Sequence, residues 1–108
     1  MQEQIEKVEE FHQAFGIKNR FHPVGEIDRE TLMLRYKLMR EENEEYLEAA
    51  EQGDLIEIAD ALGDMLYILC GTILSHGLQG KMEEVFAEIH RSNMSKLDAQ
   101  GKPIYRED

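Results

Sequence analysis

The sequence predicts an all-α fold, a bundle of four helices with a central antiparallel helical hairpin, built as one domain over residues 1–108. Three observations lead to this fold. The chain contains two prolines and no tryptophan, and it is rich in glutamate, leucine, methionine and alanine, which favour helices. Its apolar residues recur at three- and four-residue spacings, and glycines stand where these periodic segments end.

The first predicted helix covers residues 3–15. Gly16 can end it, and a loop over residues 17–27 follows, punctuated by Pro23 and Gly25. Five residues recur on one face of this helix and are expected to point inward: Ile5, Val8, Phe11, His12 and Phe15. The aromatic residues of this face are expected to lie in the core rather than to stack on a bound base. Tyr46 and Tyr67 are also expected in the core.

The second and third predicted helices form the hairpin. Asp28 is placed to cap a helix over about 29–52, which Gly53 closes. Asp54 can cap the third helix, with an acidic residue three positions later as in a capping box, and this helix runs to about residue 75.

The fourth predicted helix spans roughly residues 81–97, and the tail over 98–108 is expected to be irregular. The apolar side of the fourth helix should face inward, with Met82, Val85, Phe86, Ile89 and Met94.

Acidic residues interrupt the inward face of the second helix. A helix advances roughly 100° per residue, which places Glu42 and Glu45 inside its apolar arc and Glu41 on the margin of that arc. Glu44 and Glu48 point the other way and are expected in solvent. Carboxylates on a buried helical face are costly unless cations compensate them.

Acids also stand on the first turns of the third helix, which is otherwise apolar on most sides. In an antiparallel hairpin that turns near Gly53, the expected facing pairs are Glu45 with Glu57, Glu42 with Asp60, and Leu38 with Asp64. Converging carboxylate oxygens select Mg²⁺ or Mn²⁺ rather than zinc. The hairpin therefore predicts a divalent-metal site with six candidate ligands: Glu41, Glu42, Glu45, Glu57, Asp60 and Asp64. The alternative is a glutamate-rich amphipathic helix whose spacing is accidental.

Charge and composition exclude several classes of function. A formal net charge of −11 argues against a nucleic-acid polymer or an anionic membrane as a partner. Cys70 is the single cysteine, so no intrachain disulfide can form. Residues 1–20 lack the apolar core of a signal peptide, and no run approaches the roughly 20 apolar residues needed to span a membrane. A cytoplasmic protein is expected.

The acidic motifs resemble those of the MazG-like superfamily of all-α nucleoside triphosphate pyrophosphohydrolases, which includes phosphoribosyl-ATP pyrophosphohydrolase. Its signature is a Glu-Glu-x-x-Glu helix followed by a Glu-x-x-Asp helix. The sequence Glu-Glu-Asn-Glu-Glu at 41–45 matches the first element. The second matches either at 57–60 or at 61–64, where alanine replaces the glutamate. Segments 11–16, 64–67 and 91–97 and the tail extend the resemblance over nearly the whole chain.

The resemblance implies Mg²⁺-dependent hydrolysis of a nucleotide between its α- and β-phosphates, which yields a monophosphate and pyrophosphate. Metal ions then neutralise the phosphate oxygens and lower the pKa of a bound water. The first expected ligands are Glu42, Glu45, Asp60 and Asp64. Glu41 and Glu45 are the candidate catalytic residues, and Glu41 or Glu57 is a further ligand or the base that orients the water.

Cationic and amide groups are needed for the outer phosphates. Candidates near the end of the chain are Arg91, Asn93, Lys96, Lys102 and Arg106. Each of the four cations is equally suited to a solvated surface role, and Asn93 is equally suited to cap the end of the fourth helix. The base and sugar of the substrate are expected to be selected by the loop over 17–27 and by a partner subunit.

The third helix is apolar on several sides, which predicts a homodimer or a dimer of dimers with sites completed near subunit boundaries. Two other functions are weighed. A di-iron carboxylate bundle needs two Glu-x-x-His motifs, and the chain has only the one at 9–12. A non-catalytic helical module that binds metal or a protein partner is the second alternative.

Overall fold

The computed structural model describes residues 1–104, which form four α-helices in the predicted order. Their bounds are α1 (Gln2–Ala14), α2 (Arg29–Glu51), α3 (Leu55–Ser75) and α4 (Met82–Met94). Within residues 1–104, β-type pairing is confined to an isolated bridge between Leu97 and Pro103. The predicted all-α class with a central hairpin is confirmed. The predicted role of Arg106 lies outside the described residues.

Side-chain caps begin the two hairpin helices at the predicted positions. The Asp28 carboxylate accepts hydrogen bonds from the backbone N–H and the hydroxyl of Thr31, at 2.9 and 2.8 Å. The Asp54 carboxylate accepts a hydrogen bond from the backbone N–H of Glu57, at 3.2 Å. Gly53 has a φ of 64°, in the left-handed region where a side chain is strained. The turn of the hairpin therefore follows from local sequence.

α3 is the central helix, and both α1 and α2 pack against it. Ile5 and Val8 of α1 meet Cys70 and Leu74 of α3 in a small buried apolar cluster. This small core explains why the chain leaves many large apolar side chains exposed.

A second, polar contact joins α1, α2 and α3 around Arg35, which is 6% exposed. Its Nε donates to the Thr72 hydroxyl at 3.2 Å, and its Nη2 donates to the Ile68 carbonyl at 3.0 Å. A Cβ atom built at Gly71 lies 2.5 Å from this Nη2 and 3.1 Å from Nε2 of His12. The guanidinium therefore crosses α3 at a glycine, because no side chain fits there.

His12 is a buried core residue, as expected. Its ring is hydrogen-bonded through Nδ1 to the side-chain oxygen of Asn19, at 2.7 Å. Burial lowers the pKa of His12, and the nearby charge of Arg35 acts in the same direction, while the hydrogen bond to Asn19 opposes both.

The expectation that the other aromatic residues lie in the core is wrong for this chain. Phe11 stacks on Phe15 with ring centroids 4.3 Å apart and meets the edge of Tyr67 at 5.7 Å. All three rings are nevertheless exposed, as is Tyr46. Within residues 1–104 only α1 and α2 pack against α3, and no further helix covers these rings.

α4 does not pack against α1, α2 or α3 within residues 1–104, and none of its residues is buried. The prediction that its apolar side faces inward is therefore wrong: Val85, Phe86, Ile89 and Met94 are exposed, and Met82 is half-buried. The turn between α3 and α4 is closed by hydrogen bonds, among them one from the Leu78 N–H to the Ile73 carbonyl at 3.0 Å. The helix ends at Met94, and a tight hydrogen-bonded turn over 96–104 follows it.

α3 is long and apolar enough to cross a membrane by length and composition alone, with a mean hydropathy of 1.4 over its best window. The expectation that no run meets this criterion is therefore corrected. One third of the window (33%) is buried inside the protein, where α1 and α2 pack on it. The core helix of a soluble protein meets the same criterion, and α3 also carries acids on its first turns.

Candidate metal centre

Three carboxylates from the two hairpin helices converge on one point. Glu42 and Glu45 of α2 and Asp64 of α3 each offer an oxygen, and these oxygens all lie within 4.8 Å of one another. Two of the side chains share a face of α2 because they are three residues apart. The spacing permits all three carboxylates to contact one divalent cation.

The register of the hairpin differs from the predicted one. Glu42 was expected to face Asp60 but lies beside Asp64, one turn (about four residues) further along α3. The predicted register centres the turn near Glu51, whereas α2 continues through Glu51 and the chain reverses at Gly53. Moving the centre of a hairpin by two residues shifts each facing partner by about four. Of the two possible matches to the second motif, the one at 61–64 therefore holds the clustered aspartate, Asp64.

Glu42 is the most constrained member of the cluster. Its Oε2 atom is buried and has no hydrogen-bond partner among the described residues. Burial raises the pKa of the Glu42 carboxyl, and the negative charges of Glu45, Asp64 and Asp60 raise it further, with a hydrogen bond to Glu45 contributing. A buried acceptor without a donor is costly in free energy.

These features fit a bound cation. Hard carboxylate oxygens are the ligands that Mg²⁺ and Mn²⁺ prefer, and a cation supplies the partner that the Glu42 oxygen lacks. Among residues 1–104, the ion pairs of lysine and arginine side chains do not include any of the three clustered carboxylates. Ion pairs within residues 1–104 therefore leave the negative charge at this point uncompensated.

The other predicted acidic ligands stand apart from the cluster. Glu57 and Asp60 line a polar cavity of about 410 Å³ together with Glu45 and Glu48, toward the turn of the hairpin. Asp60 is close enough to Glu42 for its charge to act on the pKa of that residue. Glu41 precedes the cluster on α2 and is exposed.

The described phosphate-binding candidates contact α4 and the turn after it rather than the cluster. Arg91 is paired with Glu88 on α4, and the Lys96 ammonium donates to the side-chain oxygen of Asn93 at 2.8 Å. Lys102 lies in the turn after α4, where its backbone N–H donates to Asp98 at 2.8 Å. α4 itself makes no packing contact with α2 or α3 within the described residues.

Two features went unpredicted. An apolar cleft of about 650 Å³ lies between α2 and α3, lined by Tyr36, Met39, Arg40, Asn43, Met65, Leu66 and Leu69. The buried Arg35 was also missed, although its bearing on α2 lies roughly 20° from that of Glu42 and inside the same inward arc. The inward bearing of Arg35 is therefore the sequence signal from which its burial could have been predicted.

Comparison with known proteins links the chain to nucleotide chemistry. A family model described as phosphoribosyl-ATP pyrophosphohydrolase matches residues 8–93. The chain is also 32% identical over 101 residues to an uncharacterized protein of Acanthamoeba polyphaga mimivirus. That match covers 91% of this chain and 36% of the viral protein, so the chain spans about a third of the relative's length.

Proposed function

The chain belongs to the phosphoribosyl-ATP pyrophosphohydrolase family, within the MazG-like all-α nucleotide pyrophosphohydrolase superfamily, and from this membership we propose its reaction. It hydrolyses a nucleoside triphosphate or related nucleotide between the α- and β-phosphates. A water oxygen bonds to phosphorus, the bridging P–O bond breaks, and the products are a nucleoside monophosphate and pyrophosphate.

The observation that carries this proposal is the cluster of Glu42, Glu45 and Asp64, with the buried Oε2 of Glu42 lacking a donor. These three residues are proposed to hold Mg²⁺, with Mn²⁺ as a substitute. When bound, such an ion neutralises phosphate oxygens and lowers the pKa of a coordinated water.

Further acids near the cluster have proposed roles in the same site. Asp60 acts on Glu42 through its charge and is the nearest candidate for an additional ligand. Glu41 and Glu45 are the proposed acceptors of the proton that the attacking water loses, since Glu45 belongs to the cluster and Glu41 directly precedes Glu42 on α2. Glu57 is proposed as a further ligand or water-orienting group at the neighbouring cavity.

The chain is proposed to act in the cytoplasm as a homodimer or a dimer of dimers. The apolar cleft between α2 and α3 supports this, because Tyr36, Met39, Leu66 and Leu69 are exposed along it. Within residues 1–104 only α1 packs against the hairpin, so the hairpin is expected to bury further apolar surface against another copy.

A pyrophosphate-release screen across canonical and damaged nucleotides, with Mg²⁺ and with Mn²⁺, tests the proposed reaction. Glu45→Gln is expected to reduce the hydrolysis rate by about 10²-fold or more while the helical circular dichroism stays unchanged. Glu44→Gln is the matched control, because Glu44 is exposed and paired with Arg40 on the same helix. If Glu45→Gln and Glu44→Gln released pyrophosphate at the same rate, the assignment of the site would be wrong.

A further inference from the structure

We propose that Arg35 is a positioning residue for the metal centre. By crossing α3 at Gly71, it fixes the register of the hairpin, the alignment of α2 along α3, in which Glu42 meets Asp64. The inference rests on the proposed function, since this register decides whether the three clustered carboxylates can share one cation. Arg35 acts through the two helices that carry the ligands.

The first support is that the crossing and the metal centre follow one register. Arg35 stands seven residues before Glu42 on α2, and Gly71 stands seven residues after Asp64 on α3. Seven residues of a helix correspond to about 10.5 Å along its axis. Because α2 and α3 run antiparallel, the guanidinium that lies at Gly71 sets the two acids at the same height.

The second support is that the acids of α3 do not select this register themselves. α3 carries an aspartate at position 60 as well as at position 64, one turn apart. A slide of about 6 Å along the axis would bring Glu42 to face Asp60, which is the register predicted from sequence. Without a cation the neighbouring acids repel Glu42, as their effect on its pKa shows. A contact outside the cluster must therefore hold the register before the metal binds.

The third support is that Gly71 admits the guanidinium in one register. A Cβ atom at position 71 would lie 2.5 Å from Nη2 of Arg35, so the crossing needs a residue without a side chain. After a slide of one turn toward Asp60, Arg35 would face Tyr67, and after the opposite slide it would face Ser75. Both residues carry side chains where Gly71 has none, so the crossing disfavours the two neighbouring registers.

The fourth support is the cost of burying Arg35, which is 6% exposed. Within residues 1–104 the ion pairs do not include it, and its donors reach the Thr72 hydroxyl and the Ile68 carbonyl instead. A buried charge without a counter-ion is costly, and the best-attested benefit of such a group is to specify the register of packed helices. A role in the register therefore explains why an arginine occupies this position.

Binding of Mn²⁺ to the nucleotide-free chain, measured by electron paramagnetic resonance, tests the inference. Arg35→Met puts a shorter, uncharged side chain at the crossing, and the chain is expected to stay folded because apolar residues replace buried charges well. The apparent Kd for Mn²⁺ is expected to rise by about tenfold to a hundredfold. A tenfold rise means that about one tenth of the variant has the competent register, so saturating Mn²⁺ should restore full occupancy.

Val8→Ala is the control for a general loss of stability. It removes buried apolar atoms from the contact of α1 with α3 and leaves Arg35 in place. Its folded form is expected to bind Mn²⁺ within about twofold of wild type. If Val8→Ala lost as much affinity as Arg35→Met, loosening of the fold would explain both losses and the inference would be wrong.

A pair of substitutions at position 72 tests the crossing more mildly. Thr72→Val removes the hydroxyl that accepts from Nε of Arg35, and it should weaken Mn²⁺ binding by about threefold to tenfold. Thr72→Ser keeps the hydroxyl and should bind Mn²⁺ as wild type does. This pair decides if Arg35→Met does not fold, since equal affinities of Thr72→Val and Thr72→Ser would then overturn the inference.

The same titrations separate this inference from the proposed function. A wild type that binds Mn²⁺ and an Arg35→Met variant that binds it equally well would refute the role of Arg35 and leave the metal centre standing. A wild type that binds no Mn²⁺ would overturn the metal centre, and the inference about Arg35 with it.

Discussion

Gly71→Ala tests whether the crossing of Arg35 over α3 holds the hairpin together. The new Cβ atom would lie 2.5 Å from Nη2 and 3.1 Å from Cζ of Arg35, so the guanidinium must move. Moving it lengthens or breaks its hydrogen bonds to Ile68 and Thr72, now 3.0 and 3.2 Å. Hydrogen bonds to a charged group contribute about 1.5–3 kcal/mol each, and overpacking costs about 1–3 kcal/mol.

The intrinsic preference of a helix for alanine opposes these losses by about 1 kcal/mol. With overpacking and the loss of one of the two hydrogen bonds, we therefore expect Gly71→Ala to lower the free energy of unfolding by about 1.5–5 kcal/mol, measured by urea denaturation with circular dichroism. Gly63→Ala is the matched control on the same helix, because nothing lies within 4 Å of its Cβ position. That control is expected to stabilise by about 0.5–1 kcal/mol.

A double variant identifies the cause. Arg35→Met shortens and uncharges the crossing side chain, so Gly71→Ala should cost less in that background, and the two substitutions should not add. A Gly71→Ala variant that is as stable as Gly63→Ala would show that the crossing of Arg35 does not hold the hairpin together.

Three further predictions concern the cluster and the caps. In metal-free protein, the raised pKa of Glu42 contributes stability that is present below the ordinary pKa of glutamate and lost as pH rises through the raised value. Glu42→Gln should flatten this dependence of the unfolding free energy on pH, and an unchanged slope would contradict the crowding of charges. Mg²⁺ at a concentration of about a hundred times Kd should stabilise wild type by about 2.7 kcal/mol in thermal unfolding. This stabilisation should be absent in Asp64→Asn and kept in Glu44→Gln. Equal stabilisation of the two variants by Mg²⁺ would contradict the proposed metal site. Asp54→Ala should lower the urea-unfolding free energy by about 1 kcal/mol through loss of its N-cap bond, and a change of only a few tenths would show that the bond matters little.

The parts of the structure that local sequence determines could be predicted. Asp28, Gly53 and Asp54 mark the ends of the hairpin helices because caps and left-handed glycines act within a few residues. The helical period also placed Glu42 and Glu45 on one face of α2, where both join the cluster, although Glu45 is exposed rather than buried.

Features that depend on distant contacts could not be predicted in the same way. The register of the hairpin depends on where the turn is centred and on how Arg35 crosses α3 at Gly71. The predicted centre of the turn was two residues too early, so Asp60 rather than Asp64 was predicted to face Glu42. Helical periodicity identified the apolar side of α4, but periodicity does not tell whether that side meets its own chain or another.

Phosphorus-31 NMR of the products tests directly whether the nucleotide is cleaved between its α- and β-phosphates. With a nucleotide from the screen and Mg²⁺, we expect nucleoside monophosphate and pyrophosphate to appear together in equal amounts. A chelator or the Glu45→Gln substitution is expected to stop their formation. Formation of nucleoside diphosphate and orthophosphate, or hydrolysis that continues unchanged in Glu45→Gln, would contradict the proposed reaction.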